Sequence, residues 1–321
     1  MLLIALAGFV CYNIKERRVF ARKAEAAAFF KGGAMQLLKG KPVADGIREK
    51  TAVLAAKLLE KDIVPTLGIL RVGANESDLA YENSAVKAAG AVGVHVEKYI
   101  MPADSKEDDV LDVLKVMNED DSIHGIMIFR PLPASMDEEL IRNHISPQKD
   151  IDGISDASLG GLFTGDYRGF PPCTAEAAMT ILDFYGIDLA GRRAVVIGRS
   201  LVVGKPLAMM LLERDAAVTV CHSKVAREKT EALCREADIV ISAAGRLQTV
   251  GAAHTNPAQV IIDVGINFDE EGKMCGDVDA ETVYDKVAAL TPVPGGVGGV
   301  TTALLMYHVA LAAQAAAAEN Y

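Results

Sequence analysis

The stretch LAYENSAVKAAG, residues 79–90, has the residue content of a helix and carries one tyrosine, Tyr81. On a helix, position 85 lies within ~40° of Tyr81 and shares its face. An amine there could exchange protons beside the phenol, but the chain has Ala85. Lys87 lies ~120° away, and we expect it to be solvated. The stretch therefore offers a phenol without the neighbouring amine that proton-transfer chemistry favours.

A second chemical pattern is the strand–turn–helix stretch VVIGRSLVVGKPLAMMLL. Gly198 ends the apolar strand and Gly204 precedes the helix, so backbone N–H groups at the helix N-terminus can face phosphates. The pattern is neither GxGxxG nor a P-loop, because the glycines are one residue too far apart and Pro206 follows Lys205. It predicts nucleotide binding, although similar glycine turns occur in folds without a ligand.

The end of the next predicted strand distinguishes between dinucleotide cofactors. NAD enzymes usually carry an acid there for the ribose hydroxyls. This chain has His222, Ser223 and Lys224 instead, and Arg199 follows the first glycine of the turn. These residues favour a ribose phosphate and predict NADP as the cofactor, although a basic loop can also be merely solvated.

Alternating strand and helix signals from Met35 onward predict parallel sheets covered by helices, an α/β fold. The predicted strands are TLGILRV, VHVEKYI, GIMIF, RAVVIG, AVTVCH, DIVISAAG and VIIDVGI. A passage rich in Gly, Asp and Ser, DGISDASLGGLFTGDYRGFPPC, predicts the domain boundary. We expect one α/β domain at 35–170, joined by the last helix at 300–318. A second, Rossmann-like domain with a doubly wound parallel sheet is expected at 171–299.

Residues 1–34 combine an apolar run, MLLIALAGFVCY, with the basic stretch IKERRVFARK. The run could be a short anchor, but it is well below the ~20 residues of a spanning helix and lacks the preceding positive flank of a signal peptide. Codons for Lys31 to Ala34 can spell a ribosome-binding sequence directly ahead of Met35. We therefore expect Met35 to be the true start and residues 1–34 to be a translated leader.

Composition excludes several classes of partner. The net charge of -10 among 321 residues disfavours nucleic acid and anionic membranes. Five cysteines without a C-x-x-C pair indicate reduced thiols of a cytoplasmic protein. No metal site is expected, since Cys221 and His222 are strand neighbours and point to opposite faces.

Nine stretches together resemble one family: LKGKPVADGI, GIMIFRPLP, KDIDG, PCT, VIGRSLVVGKP, VTVCHSK, IIDVGIN, GDV and TPVPGGVG. From Met35 to the last helix the chain resembles the bifunctional methylenetetrahydrofolate dehydrogenase/cyclohydrolase family. The resemblance implies two α/β domains with a folate cleft between them, NADP on the second domain and a homodimer. It also implies oxidation of 5,10-methylenetetrahydrofolate to the methenyl cation, then hydrolysis to 10-formyltetrahydrofolate.

The resemblance also implies roles for individual residues. The family's folate-facing tyrosine and aspartate fall on Tyr81 and Asp152, which are the expected catalytic residues. Further substrate contacts are expected at Ser84, Ala85, Ile128, Phe129, Arg130, Pro294, Gly295, Gly296, Val297 and Gly298. The cofactor positions fall on Gly198, Arg199, Ser200, Ser223 and Ile266.

Two catalytic positions of the family do not match. Its lysine is Ala85 here and its glutamine is Phe129; smaller departures are Ala175 for proline and Gly299-Val300 for Pro-Met. Hydride loss needs mainly positioning against the nicotinamide. Hydrolysis of the methenyl cation needs proton transfer, whose loss commonly costs about 100 to 10,000-fold. We expect the dehydrogenase step to survive and the cyclohydrolase step to be weak or absent.

Three alternatives remain. Other residues could support a fully bifunctional enzyme, or the protein could bind folate or nucleotide without catalysis. A shikimate-type NADP dehydrogenase is disfavoured by PVPGGVG.

Overall fold

The computed structural model describes residues 35–319, so the expected leader at 1–34 lies outside the described residues. The strands are β1 Gln36–Leu37, β2 Thr66–Val72, β3 His95–Met101, β4 Gly125–Ile128, β5 Arg193–Ile197, β6 Ala217–Cys221, β7 Ile239–Ser242, β8 Val260–Asp263, β9 Asn267–Phe268, β10 Met274–Cys275 and β11 Ala289–Leu290. The α-helices are α1 Gly40–Leu59, α2 Glu76–Gly90, α3 Glu107–Glu119, α4 Glu138–Arg142, α5 Asp156–Thr164, α6 Cys173–Phe184, α7 Gly204–Leu212, α8 Arg227–Glu236, α9 Ala280–Val283 and α10 Val297–Glu319.

The first compact unit comprises described residues 45–173 and those from 302 onward. Its parallel sheet has the order β3-β2-β4. Every residue of β2 is buried, as expected for an apolar central strand, whereas β3 alternates between exposed and half-buried residues because it lies at an edge. One core cluster of this unit includes Leu70, Val110, Leu114, Met117, Ile126 and Ile141.

The second unit comprises residues 174–301 and the described residues before 45. Its sheet has the order β1-β11-β8-β7-β5-β6, and all the strand pairs are parallel. The chain leaves β5 for β6 on one side and then returns to β7 on the other. The carboxyl end of β5 is therefore the topological switch point, where doubly wound sheets bind ligands.

Residues 35–44 differ from the sequence-based assignment, which placed them in the first domain. Gln36 and Leu37 pair with Ala289 and Leu290 of β11, and this pairing adds β1 to the sheet of the second unit. A two-residue strand shows no hydrophobic period, so its distant partner could not be read from the sequence.

The passage predicted as the domain boundary contains helix α5. The Ser155 hydroxyl accepts a hydrogen bond from the Ser158 N–H at the N-cap, and Gly165 ends the helix in the left-handed conformation at φ 77°. These two caps define a short helix within a segment that is rich in glycine.

Helix α10 is the one described helix whose length and composition would also allow a membrane span, over Val297–Ala318. More than half of that segment is buried inside the protein. Its buried side chains include Leu304, Leu305 and Val309, which is the pattern of a core helix.

Candidate active site and cofactor turn

Tyr81 lies on α2 in the first unit and is 45% exposed. Its ring meets Phe129 edge to face, with the ring centroids 5.6 Å apart. Phe129 follows β4 and is almost fully buried, so it forms a packing surface for the tyrosine. Burial, and then the nearby Asp152 and Cys173, raise the pKa of Tyr81 to about 12, so the phenol keeps its proton at neutral pH.

Helix α2 is fixed by a charged cluster that adjoins Tyr81 in sequence. The carboxylate of Glu82 accepts a hydrogen bond from Arg71 Nε at 2.8 Å and forms an ion pair with Lys98 Nζ at 2.7 Å. Arg71 also donates to the Gly73 carbonyl. Because Arg71 lies on β2 and Lys98 on β3, these bonds set the rotation of the helix and hence the direction of Tyr81.

Asp152 is half-buried and lies in the turn between α4 and α5. Desolvation raises the pKa of its carboxyl to about 6, and the neighbouring Arg130 opposes this shift. Arg130 is itself 3.3 Å from Glu138. A carboxylate of this kind is mostly ionised at neutral pH and can accept two N–H bonds from a heterocycle.

The turn that carries Asp152 is held by its neighbours. Asp150 is fully buried and accepts hydrogen bonds from Ile154 N, Ser155 N and Ser158 Oγ. Gly153 adopts φ 64°, and a side chain there would collide with the backbone of residues 170–172. Asp150 therefore has a structural role and shapes the turn that carries Asp152.

Behind Asp152 the structure brings together two residues for which the sequence analysis gave no role. Cys173 Sγ and His308 Nδ1 are 3.4 Å apart, and both residues are fully buried. His308 stacks on Phe170, with ring centroids 4.5 Å apart and planes at 23°. Cys173 stood in the PCT motif, and a single histidine within the apolar last helix was the available signal for His308.

The other predicted substrate residues of this unit are placed differently. Ala85 is 2% exposed, and its methyl group lies on the buried side of α2. Ser84 and Lys87 are exposed. Ile128 is 6% exposed and belongs to the hydrophobic core, so its side chain does not present a binding surface.

In the second unit, Gly198 ends β5 at the switch point with φ 139°. A Cβ at Gly198 would collide with the Ala243 carbonyl, and one at Gly204 would collide with the backbone of Gly198 and Arg199. Glycine is therefore required at both ends of this turn. The Ser200 hydroxyl accepts from Val203 N at 3.1 Å, which shapes the turn before α7 begins.

The residues predicted to contact the phosphates of the cofactor are exposed. Arg199, Ser200, Ser223 and Lys224 all have accessible side chains. The Lys224 N–H donates to His222 Nδ1 at 3.2 Å, which curls the loop after β6. With a helix N-terminus and no acid at the end of β6, these residues fit a dinucleotide with a ribose phosphate.

The buried carboxylate of Asp277 supports the turn that carries Ile266, the remaining predicted cofactor residue. Asp277 accepts hydrogen bonds from Ala244 N, Arg246 N and Asn267 Nδ2 at 2.7, 2.9 and 3.0 Å. It thereby ties the loop after β7 to the turn that carries Ile266, whose side chain is 59% exposed. Burial raises the pKa of the neighbouring Asp263 to about 6, although backbone N–H groups of Val278 and Asp277 favour its ionised form.

The TPVPGGVG motif forms the turn before α10. Gly295 has φ 105°, and its carbonyl accepts from Gly40 N at 2.8 Å. A side chain at Gly40 would collide with Gly296. Pro294 and Gly298 are exposed, whereas Gly296 and Val297 are buried. The LKGKP and PGGVG motifs are thus in direct contact within the second unit.

The second unit has a doubly wound sheet with a glycine turn at its switch point. The first unit is also α/β and carries the Asp152 carboxylate, which is mostly ionised at neutral pH. Together these features define a dinucleotide-dependent α/β enzyme. Residues 38–152 match the catalytic-domain model for tetrahydrofolate dehydrogenase/cyclohydrolase, and residues 172–317 match the NAD(P)-binding domain of the same proteins. The chain belongs to the tetrahydrofolate dehydrogenase/cyclohydrolase family.

Individual relatives agree with this assignment. Bifunctional protein FolD of Alkaliphilus metalliredigens is 47% identical over 274 residues, which is 85% of this chain and 96% of that protein. The crystal structure of the FolD enzyme from Campylobacter jejuni has a TM-score of 0.85 at 38% identity, and covers 88% of this chain and 99% of its own. The Trypanosoma brucei enzyme, complexed with NADP cofactor and inhibitor, has a TM-score of 0.82 at 30% identity, with coverages of 88% and 98%.

Proposed function

We propose that this protein oxidises 5,10-methylenetetrahydrofolate to 5,10-methenyltetrahydrofolate with NADP. The first unit supplies Tyr81 and Asp152 for the folate, and the second binds the cofactor. The observation that carries the proposal is the half-buried Asp152 beside Tyr81, in a site where position 85 holds no amine.

Asp152 suits the hydride-transfer step in two ways. Its carboxylate can hold the pterin by accepting N–H bonds, and its negative charge stabilises the positive charge that develops on the folate. The folate's own nitrogen lone pair drives hydride loss, and bound NADP is the hydride acceptor. The protein therefore has to position the carbon, which requires no acid or base.

The hydrolytic step is weak in this proposal. Water that attacks the methenyl cation must lose a proton, and the folate nitrogen must gain one. Tyr81 keeps its proton at neutral pH, Ala85 is inert, and Phe129, which meets the tyrosine ring edge to face, has no group that transfers protons. The protein would therefore release methenyltetrahydrofolate for another enzyme that hydrolyses it.

NADP is favoured over NAD by Arg199, Ser223 and Lys224, which are exposed beside the glycine turn. A 2′-phosphate carries negative charge and can form ion-paired hydrogen bonds with Arg199 and Lys224, whereas a ribose hydroxyl is neutral and binds them more weakly.

We also propose a homodimer in the cytoplasm. Strand β3 pairs only with β2 among the described residues, and its Ile100 is 47% exposed, which suits pairing with a second copy. None of the four cysteines within residues 35–319 forms a disulfide in that region, which supports a reducing compartment.

An assay with two absorbance signals tests the proposal, because NADPH and methenyltetrahydrofolate can be followed together. We expect both to appear in equal amounts from methylenetetrahydrofolate. NADPH without accumulating methenyl-folate would indicate a bifunctional enzyme. Tight folate binding without NADPH would indicate a protein that has lost catalysis.

A further inference from the structure

The histidine of α10 has a defined hydrogen-bonding state. His308 Nδ1 is 2.8 Å from the carbonyl oxygen of Ile151, the residue directly before Asp152. A carbonyl can only accept, so Nδ1 must carry the hydrogen and donate it. This bond assigns the tautomer and fixes the backbone at the start of the Asp152 turn.

The thiol of Cys173 has two acceptors within reach. Its Sγ is 3.2 Å from the same Ile151 carbonyl. A hydrogen bond with the thiol also lowers the pKa of the Asp152 carboxyl, which identifies Asp152 as the second acceptor. One S–H hydrogen favours one of these acceptors at a time. The Ile151 carbonyl has two lone pairs, but it already accepts the His308 Nδ1–H at 2.8 Å and is therefore a weaker acceptor for a second donor. The charged Asp152 carboxylate is the stronger acceptor, so the thiol hydrogen favours Asp152.

The packing around the imidazole limits its movement. Phe170 stacks on its face, and Val309, the next residue of α10, approaches Gly125 together with Ile151. A Cβ at Gly125 would lie 3.0 Å from Val309 Cγ2 and 2.8 Å from Ile151 Cγ2. Helix α10 and β4 therefore hold His308 at a constant distance from the Asp152 turn.

From these contacts we propose that His308 is a positioning residue for folate binding, which acts through the Cys173 thiol to keep Asp152 oriented and ionised. The inference rests on the proposed function, because it assigns Asp152 to the folate. The charged or titratable groups around this carboxylate are Arg130, Asp150, His308, Cys173 and Tyr81.

The decisive variant is His308→Phe, which keeps a ring against Phe170 and removes the Nδ1–H donor. Without the Nδ1–H, the Ile151 carbonyl becomes a better acceptor for the Cys173 thiol, and the hydrogen bond from the thiol to Asp152 weakens. We expect the KM for methylenetetrahydrofolate to rise about tenfold at pH 7, with kcat changed less. The acid limb of kcat/KM should move to higher pH, while the KM for NADP stays constant.

Two conservative variants separate this role from a structural one. His308→Asn keeps an N–H donor and should restore the folate KM to within about twofold. Cys173→Ala should raise the folate KM as His308→Phe does. Cys173→Ser keeps a hydrogen-bond donor and should bring the folate KM back toward that of the unmodified protein. Combining His308→Phe with Cys173→Ala should add little to Cys173→Ala alone, because both act through the same bond. Gln314→Ala, at an exposed position of α10, is the control.

Every outcome of these experiments either supports the inference or overturns it. If folded His308→Phe keeps the wild-type folate KM and acid limb, or if the effects of the double variant multiply, the inference is wrong. Should His308→Phe not fold, an unchanged Cys173→Ala would overturn it equally, since the route runs through the thiol. Calorimetric titration with tetrahydrofolate at about pH 5 to 8 repeats the test without turnover. An inactive wild-type protein would contradict the proposed function and leave this test standing.

Discussion

The two units contrast in how they relate to their family's pattern. In the second unit the glycine turn, the loop after β6 and the Asp277 support all agree with binding of a phosphorylated dinucleotide. In the first unit Tyr81 and Asp152 are present, but a buried methyl group and a packed phenyl ring occupy the positions of a lysine and a glutamine. From this contrast we expect the redox step to survive the replacement of the residues for proton transfer, because hydride transfer depends on position and hydrolysis depends on acid–base groups.

The strongest test of this contrast would restore the first unit. Ala85→Lys with Phe129→Gln should raise hydrolysis of preformed methenyltetrahydrofolate by about 100-fold or more, and by more than the product of the single changes, because the two groups would share a network. Ala85 is buried, so the new lysine would have a lowered pKa, which suits proton transfer.

The measurement for this restoration is methenyl-folate decay above its spontaneous rate in matched buffer, with melting temperatures recorded for each variant. Lys87→Ala is the matched control and should have no effect, since Lys87 is exposed on another face. If the unmodified protein already hydrolyses methenyl-folate as fast as it forms it, the interpretation of Ala85 is wrong.

Removing the Asp152 carboxylate should impair folate turnover by the first unit and leave cofactor binding by the second unit unchanged. Asp152→Asn is expected to lower kcat/KM for methylenetetrahydrofolate by roughly 30-fold or more, because an amide cannot accept two N–H bonds. Tyr81→Phe should have a smaller effect on the same step. Asp166→Asn, an exposed carboxylate of the same unit, is the control. If Asp152→Asn leaves the folate kinetics unchanged, Asp152 only forms the turn and does not bind folate.

The reciprocal change addresses the second unit. Arg199→Ala should weaken NADP binding by about tenfold and NAD binding much less, since one charge-assisted phosphate contact is lost. Steady-state kinetics with both cofactors measure this, and Arg192→Ala, before β5, is a control away from the turn. Equal catalytic efficiency with NADP and NAD in the unmodified protein would contradict the cofactor assignment.

The smallest expected effect is a pH dependence that belongs to the first unit alone. The pKa of Asp152 is raised from an ordinary aspartate value to about 6, so the required carboxylate is present above pH 6 and is lost below it. We expect kcat/KM for folate to be nearly constant above about pH 7 and to fall toward tenfold per unit well below pH 6. Cofactor binding should not follow this limb, and Asp152→Asn should abolish it.

The sequence predicted the seven longer strands and the glycine turn because apolar runs bounded by Gly, Asp and Pro are local signals. It did not reveal β1 and β11, since each has two residues and the two strands pair across most of the length of the chain. The site shows the same division. Tyr81, Asp152 and Gly198 stand in recognisable motifs, whereas His308 lies in an apolar helix far along the chain from Ile151. Its role depends on a tertiary contact that no local pattern encodes.

The pairing of β1 with β11 also has a consequence for the order of synthesis. Residues 36–37 leave the ribosome early, but their partners at 289–290 emerge only near the end of translation. The edge of the second sheet therefore cannot be completed until almost the whole chain exists. A nascent chain released before β11 would lack both this edge and the turn that receives Gly40. We expect such truncated chains to expose an unpaired strand and to be substrates for chaperones or proteolysis.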